Sequence, residues 1–384
     1  MTLRIFNLAS AAIALGSTAA AHADTPLETE FEFESVTVVT PLSESDAPID
    51  VDSILAEVSL VGTSEKILDN GVRLRARGAL RLQRDHRSRP GAIGGFGTDD
   101  FAPVGAFSGL SEALPIEDSD IRTRLETAYL QVDGGYGELR VGKDQGVAAR
   151  FYEGPRSVLS HARLDTPLLD PTGLNTIRTR HDLTGPSPKI SYASPRLIGI
   201  RGGISYAPEA SADGLDRRPD AGTGGLAPET ENAFELALNA TRRLRESGVR
   251  FDFGLGWSSA SVENQTLATL YQDVETWSAG TRIEKDDWTF GLAWLGSDNG
   301  LQNGDYSAWS AGLHKESYNT DFSIEIGHSE DDGVALESQS WRVGAARDFT
   351  PSTRLAIALL GDQTERFGEK WDSRGVVVEI TLSQ

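Results

Sequence analysis

The chain has 384 residues, no cysteine, 36 lysines and arginines and 57 aspartates and glutamates, which gives a formal net charge of −21. The lack of cysteine excludes a disulfide framework and thiolate metal sites, and the negative charge argues against a nucleic-acid partner. The 40 glycines and the absence of an interdomain linker favour one large all-β unit over two or three ordinary domains.

The N-terminal residues have the pattern of a secretory signal. Arg4 precedes a mostly apolar run over Leu8–Leu15, and a stretch of small residues ends at Ala23. We expect cleavage before Asp24, so residues 1–23 are a predicted signal peptide and 24–384 the mature chain. No later segment has the roughly 20 consecutive apolar residues of a membrane helix. A mature chain that spans a bilayer must therefore do so as a closed barrel.

The most informative stretch is Gly71–Gln83, which follows two predicted strands at residues 30–39 and 54–62 and a polar loop at 41–52. Its side chains alternate with the two-residue period of a strand. One face carries Val72, Leu74, Ala76, Leu80 and Leu82, and the other carries Arg73, Arg75, Arg77, Arg81 and Gln83. We call Arg73, Arg75, Arg77 and Arg81 the arginine ladder. This strand alone fits either a water-facing exterior or a water-filled interior.

Further strands follow in chain order, first as a hairpin over residues 121–133 and 138–146 and then as a pair over 189–194 and 197–207. Nine more are predicted at residues 232–243, 249–261, 271–284, 288–296, 306–318, 321–329, 338–348, 353–363 and 371–382. The total is about sixteen. Tight turns alternate with long connections at residues 86–120, 147–180 and 208–229.

That alternation predicts a closed antiparallel barrel that spans a membrane, because such barrels have short turns at one end and long loops at the other. Five tryptophans lie near predicted strand ends, where rings can sit at the level of lipid headgroups: Trp288, Trp294, Trp309, Trp341 and Trp371. A secreted β-sandwich that binds a ligand is the alternative from a different class of protein, and it would be soluble without detergent.

Over nearly the whole mature length the chain resembles the general diffusion porins of Gram-negative bacteria, a sixteen-stranded trimeric family. The stretches that carry the resemblance are Ser53–Asp85 and Ala128–Gln145, the second of which is similar to the family's hairpin before its third loop. The family commonly ends in an aromatic residue, whereas this chain ends in Gln384. The resemblance implies a homotrimer in the outer membrane, with lipid and lipopolysaccharide around it and small hydrophilic solutes passing through.

The resemblance also implies that residues 147–180 form a third loop that folds into the lumen and constricts the pore. Acidic residues of that loop usually face a basic wall in the family. The candidate loop carboxylates are Glu153, Asp165 and Asp170, and the candidate wall residues are Arg73, Arg75, Arg77, Arg81 and Lys143. Opposed charges across a narrow aqueous gap orient polar solutes and hinder apolar ones.

Other sites have weaker support. The histidines lack zinc-ligand spacing, and the adjacent Ser160 and His161 would need a third polar group to form a hydrolase site on the barrel's outer wall. Acidic loops at Glu330-Asp331-Asp332 and Asp298-Asn299 could bind calcium. We therefore expect a passive channel for small hydrophilic solutes that performs no chemistry and needs no cofactor. A channel selective for anions or organic acids is the main alternative within membranes.

Overall fold

The computed structural model describes residues 27–46, 53–84, 105–107, 121–210, 229–263 and 269–384. The predicted signal peptide lies outside these ranges, as do most of the connections at residues 86–120 and 208–229. Among the described residues, no helix is long and apolar enough to cross a membrane.

The described residues form sixteen β-strands and one short helix. The strands are β1 Glu28–Ser45, β2 Ile54–Ile67, β3 Arg73–Arg84, β4 Ile121–Gly134, β5 Gly137–Asp144, β6 Ser187–Ala193, β7 Ile200–Ala210, β8 Glu229–Arg243, β9 Arg250–Glu263, β10 Val274–Lys285, β11 Trp288–Ser297, β12 Tyr306–Ser317, β13 Thr320–Asp331, β14 Leu336–Thr350, β15 Thr353–Arg366 and β16 Glu369–Ser383. The helix, α1, covers only Val147–Arg150.

The strands make a single closed barrel in which each strand pairs antiparallel with its neighbours in sequence. β1 closes the ring against β16, and the backbone of Phe33 exchanges two hydrogen bonds of 2.9 Å with that of Gln384. The predicted all-β closed barrel of about sixteen strands is confirmed. The β-sandwich alternative is wrong, because its two stacked sheets cannot be formed from one closed sheet.

The two faces of the barrel have opposite character. On β9, for example, Phe253 and Leu255 are exposed on the outer face, whereas Asp252 and Ser258 are buried on the inner face. The same pattern of exposed apolar and buried polar side chains recurs on β8, β11 and β13. A barrel with apolar residues outside and polar residues inside is suited to lipid around it and water within it.

A belt of tryptophans runs over part of the outer face. Trp257 lies opposite Trp277 on paired strands, and Trp294 lies opposite Trp309. Trp341 continues the belt on β14, where it is also exposed. Trp371, predicted to belong to such a girdle, instead packs against a buried cluster of Leu174, Val334 and Leu336. The aromatic face fits the interfacial role of tryptophan in outer-membrane barrels.

The first two strands are longer than the sequence predicts. The predicted loop at residues 41–52 begins too early, since β1 continues to Ser45. The pairing register shifts between Val39 and Leu42, and this irregularity accommodates Pro41, which cannot donate a ladder hydrogen bond. β2 likewise extends beyond its predicted end at residue 62 to Ile67, because Thr63, Glu65 and Ile67 pair with ladder residues on β3.

The connection from β5 to β6, residues 145–186, lies along the inner face. It contains the predicted third loop of residues 147–180, and we use the name third loop for the whole connection. Its first leg passes glycines of β9, β10 and β11, and a Cβ at Gly254, Gly280 or Gly291 would collide with loop backbone. Its middle reaches β16, β2 and β3 through hydrogen bonds to Glu379, Glu57 and Gln83. Its second leg returns past β15, β12 and β9 through bonds to Asp362, Ser310 and Ser258.

Candidate functional site

The arginine ladder lies on the inner face of β3, and most of its charge is paired with carboxylates of adjacent strands. Glu65 of β2 accepts ion pairs from Arg73 at 3.2 Å and from Arg75 at 2.6 Å. Arg81 lies 3.0 Å from Glu57 and 3.7 Å from Glu126. The ladder arginines are therefore oriented by carboxylates of the neighbouring strands rather than by carboxylates of the third loop.

Arg77 differs from the other ladder residues. It is half-buried, and within the described part of the chain it has no ion pair to a carboxylate. Its guanidinium lines a cavity of about 320 Å³, together with Arg81, Glu126, Tyr129 and Arg150 among others. We call this the ladder cavity. An unpaired cation on such a wall has its field directed into the cavity.

Lys143 does not lie on the same face as the arginine ladder. Along β5 it shares the parity of Leu139 and Val141, whose side chains are exposed on the outer face. The residue of β5 that faces inward is Arg140, which pairs with Glu138 and with Asp144, each at 2.8 Å. The placement of Lys143 on the pore wall therefore needs correction, since parity puts Arg140 there.

Glu153 lies on the first leg of the third loop, but it does not face the ladder. Its carboxylate is 3.1 Å from Arg282 of β10 and accepts a hydrogen bond of 3.1 Å from Asn239 of β8. Partial burial is the main influence on its pKa and raises it, although Arg282 acts in the opposite direction. Glu153 thus secures the loop to the wall that the loop covers.

Asp165 and Asp170 are buried within the third loop and shape it. Asp165 pairs with Arg163 at 2.7 Å and accepts the hydroxyl of Tyr152 at 2.7 Å. Asp170 accepts the backbone N–H groups of Thr172 and Asn175. The expectation that these carboxylates face a basic wall across water therefore does not fit their positions, because both are almost fully buried.

Glu379 of β16 holds the middle of the third loop. Its carboxylate accepts the backbone N–H groups of Ser160, His161 and Ala162 and the Ser160 hydroxyl, over 2.6–3.0 Å. Charge-assisted bonds of this kind are among the stronger ones in proteins. His161 adds a bond from Nε2 to Glu57 of β2 at 3.1 Å.

His181 docks the second leg of the loop. Its Nδ1 lies 2.9 Å from the Ser278 hydroxyl and its Nε2 lies 2.6 Å from that of Ser258. The imidazole is fully buried, and this burial lowers its pKa from 6.5 to about 4, with Glu235 acting weakly in the opposite direction. His181 is therefore neutral at physiological pH.

A second cavity, of about 430 Å³, lies nearer the end of the barrel that carries the short turns; we call it the turn-end cavity. It is lined by Glu138, Arg140, Arg150, Phe151, Glu153, Arg196, Arg201 and Asn239. Arg140 and Arg150 stand on the same side of the lumen as the ladder, and Arg150 lines both cavities. The two cavities are consecutive along this wall, and the start of the third loop lines both of them.

The predicted site residues did not include Arg140, Arg150 or Arg201, although a signal existed for two of them. Arg140 alternates with Leu139 and Val141, and Arg201 alternates with Ile200, so strand parity assigns both to the inner face. Arg150 lies in α1, where no strand period applies, and only the fold brings it beside Glu138.

The described residues include no group of three or more histidine, cysteine, aspartate or glutamate side chains arranged to hold a metal ion. In the described acidic loops, Asp298 accepts the backbone N–H groups of Glu275 and Gly300. Its Oδ1 atom therefore joins the turn between β11 and β12 to the start of β10.

A family model described as Gram-negative porin matches residues 9–365. No curated protein matches the sequence. Among solved structures, the anion-selective porin from Comamonas acidovorans is 12% identical with a TM-score of 0.56, and the match covers 94% of this chain and 100% of that one.

Two further structures have the same fold. OprB of Pseudomonas putida is 8% identical with a TM-score of 0.58, covering 93% of this chain and 94% of that one. The trimer form of OmpT from Vibrio cholerae is 12% identical with a TM-score of 0.51, covering 93% of this chain and 99% of that one.

Proposed function

The chain belongs to the family of Gram-negative porins and forms an outer-membrane channel for passive diffusion, and we propose that solutes cross it along the arginine ladder. The observation that carries this proposal is the pair of cavities that the third loop leaves open beside the ladder. The third loop bonds to inner residues of β9, β12, β15 and β16 and reaches Glu57 of β2 and Gln83 of β3, whereas the ladder cavity follows β2 to β5 and the turn-end cavity follows β5, β7 and β8.

In this proposal the third loop constricts the pore by filling one side of it. Buried apolar residues of the loop, including Val158, Leu159 and Leu169, pack against Val36 and Val377 of the wall. Docking that buries apolar side chains on both surfaces favours a fixed loop, since each buried leucine or valine contributes about 1.5–3 kcal/mol. The solute path is then bounded by ladder arginines on one side and by the start of the loop on the other.

The charge along this path favours anions over cations of equal size. Arg77 faces the ladder cavity without an ion pair to a described carboxylate, and Arg150 links that cavity to the next one. Guanidinium groups on a low-dielectric wall raise the local concentration of anions. We therefore propose a mild anion preference despite the negative charge of the whole chain.

We propose no chemical step at Ser160 and His161. Their side chains lie 2.9 Å apart and His161 reaches Glu57, so a serine, a histidine and a carboxylate do come together. However, the carboxylate of Glu379 bonds to the Ser160 hydroxyl and to three backbone N–H groups that an oxyanion would require. The cluster acts as a loop anchor, and ester turnover should be absent from both the native protein and His161→Ala.

The assembly we propose is a homotrimer, with outer-membrane lipid and lipopolysaccharide against the exposed apolar face. The support is the fold shared with OmpT of Vibrio cholerae, for which a trimer form is described. We also propose that residues 1–23 direct export before assembly. Migration of the detergent-extracted protein on an unheated gel tests the oligomer: a band at three times the monomer mass is expected, and a monomer band contradicts it.

Single-channel recording in a planar bilayer tests the channel itself. The purified protein should produce stepwise increases in current in potassium chloride, and the reversal potential in a salt gradient should have the sign of anion preference. A boiled sample gives the matched control, because unfolding removes the barrel. Absence of current steps from folded protein would count against the function.

A further inference from the structure

We propose that the turn-end cavity binds a small organic carboxylate during passage, an inference that rests on the proposed channel function and specifies its solute class. The cavity is built from inner-face residues of β5, β7 and β8, the turn between β6 and β7, and the start of the third loop. It therefore lies where a solute that has passed the ladder cavity would next arrive.

The charge of this cavity is positive and only partly compensated. Four arginines and two glutamates line it. Two flanking residues, Arg282 and Asp144, pair with Glu153 and Arg140 and add one charge of each sign. The net charge of the lining is thus two positive, which is the sign that concentrates anions.

Glu138 accounts for the way the arginines are held together. Its carboxylate forms an ion pair with Arg140 at 2.8 Å and accepts hydrogen bonds from Arg201 at 3.1 Å and from Arg150, so a single carboxylate organises three guanidinium groups. One carboxylate cannot neutralise three cations. The arrangement keeps positive charge at the cavity surface while fixing the orientation of each guanidinium group.

Arg196 is an arginine of this cavity that has no carboxylate partner among the described residues. Its guanidinium donates to the Asn239 side-chain oxygen at 2.5 Å, to the Gly199 carbonyl at 2.8 Å and to the Thr241 hydroxyl at 3.1 Å. Neutral oxygens orient a guanidinium group without cancelling its charge. Arg196 is therefore positioned in the turn and available to an anion.

An aromatic ring distinguishes organic from inorganic anions at this site. Phe151 lines the cavity, and the Arg201 guanidinium lies 5.4 Å from its ring centre. A guanidinium fork matches the two oxygens of a carboxylate. The Phe151 ring is mostly buried against Val147, Ala193 and Ala237, and the part of it that lines the cavity offers an apolar contact that phosphate cannot use. A volume of about 430 Å³ is in the range of small-molecule pockets.

The test uses benzoate as the probe and inorganic phosphate as the comparison, each added to native channels that carry a potassium chloride current. Benzoate should reduce the current with a saturating dependence on its concentration, and phosphate at the same ionic strength should not. Channels that conduct chloride but are unaffected by benzoate would overturn the binding site and leave the channel function intact. Equal saturation by phosphate would overturn the assignment to an organic carboxylate.

Variants then locate the site. Arg196→Gln combined with Arg201→Gln should raise the half-blocking concentration of benzoate by about tenfold or more, since hydrogen bonds to charged groups are lost. Arg245→Gln is the matched control, because Arg245 is exposed in the neighbouring turn between β8 and β9. If the double variant forms no channels, Arg196→Gln alone decides, as its side chain belongs to a turn. An unchanged half-blocking concentration in folded variants would overturn the proposal.

Discussion

Individual buried polar residues hold the third loop to the wall, and Arg342 and Asp362 do so as an ion pair. Both side chains are almost fully buried, and two guanidinium nitrogens contact the carboxylate at 2.7 and 2.9 Å. The hydroxyl of Thr172 donates to the same carboxylate from the loop. One ion pair thus connects β14, β15 and the returning leg of the loop.

Removing one partner of this pair should be far more harmful than removing both. Arg342→Ala leaves an uncompensated buried carboxylate, and we expect a loss of about 3–5 kcal/mol in the free energy of unfolding. The double variant Arg342→Met with Asp362→Leu should cost clearly less, because no charge remains buried. Urea unfolding of protein refolded into lipid vesicles measures both values, and equal losses in the two variants would refute this reasoning.

His181 should make loop docking dependent on pH. Its pKa is about 4 in the folded protein and 6.5 when unfolded, so the unfolded state binds the proton more readily between these values. Its stabilising contribution is complete above about pH 6.5 and falls as the pH approaches 4, by about 3 kcal/mol in total. Glu235 on β8 and the loop neighbours Arg180 and Asp182 are the charged groups around it.

The variant His181→Gln tests this dependence, because glutamine can still bond to a serine but does not titrate in this range. The melting temperature of the native protein should fall more steeply from pH 7 to pH 4.5 than that of His181→Gln. His328→Gln is the control, since His328 lies on the outer-face parity of β13 with Ile324 and Ile326. A native protein and His181→Gln variant with the same pH dependence would rule out His181 as the titrating group.

At the scale of elements, glycines on the inner face allow the third loop to approach the wall. Gly280 of β10 is the tightest case, since its Cβ would meet the backbone carbonyl of Glu153. A flexible side chain could move aside, but loop backbone must be displaced. The glycines of β9, β10 and β11 thus leave the space that the backbone of the first leg occupies.

Gly280→Ala should push the loop away from β10 and towards the ladder, and we expect a lower single-channel conductance. The matched control is Gly78→Ala on β3, where an added Cβ meets nothing within 4 Å. Gly78→Ala should conduct as the native protein does. Native conductance in Gly280→Ala would show that the loop backbone does not lie against Gly280 in the working channel.

The elements themselves were largely predictable from the sequence, because strand parity depends on residues that are close in the chain. The alternation of Phe251, Phe253 and Leu255 with polar residues predicts both β9 and its outer face. The placement of the loop carboxylates was not predictable in the same way. The sequence shows that Asp165 and Asp170 are acidic. Only the folded loop shows that both are buried, with Arg163 and backbone N–H groups as their partners.

The apolar residues inside the barrel were also beyond sequence parity. Val36, Val38 and Leu55 face inward and pack against Leu159 and Leu169 of the third loop. A strand pattern assigns apolar residues to the lipid face of a barrel, so an inward apolar patch requires knowledge of what covers it. The loop that supplies this cover is distant in sequence from β1 and β2.

At the scale of the whole molecule, the barrel combines an acidic chain with a basic path. The formal charge is −21, yet the inner wall of β3 and β5 carries Arg77 and Arg140 beside Arg150 of the loop. Net charge describes the outer surfaces and the connections as well as the lumen. A solute in the channel responds mainly to the nearby wall, because charges beyond about 10 Å are screened at 0.1 M salt.

The reversal potential of Arg77→Glu in a potassium chloride gradient tests the central claim most directly. Arg77 has no described carboxylate partner, so this variant reverses a lumen charge without breaking an ion pair. Arg242→Glu is the control, since Arg242 shares the outer-face parity of Leu236 and Leu238. We predict a shift of the reversal potential towards cation preference in Arg77→Glu alone, and a value unchanged from the native channel would contradict a solute path along the arginine ladder.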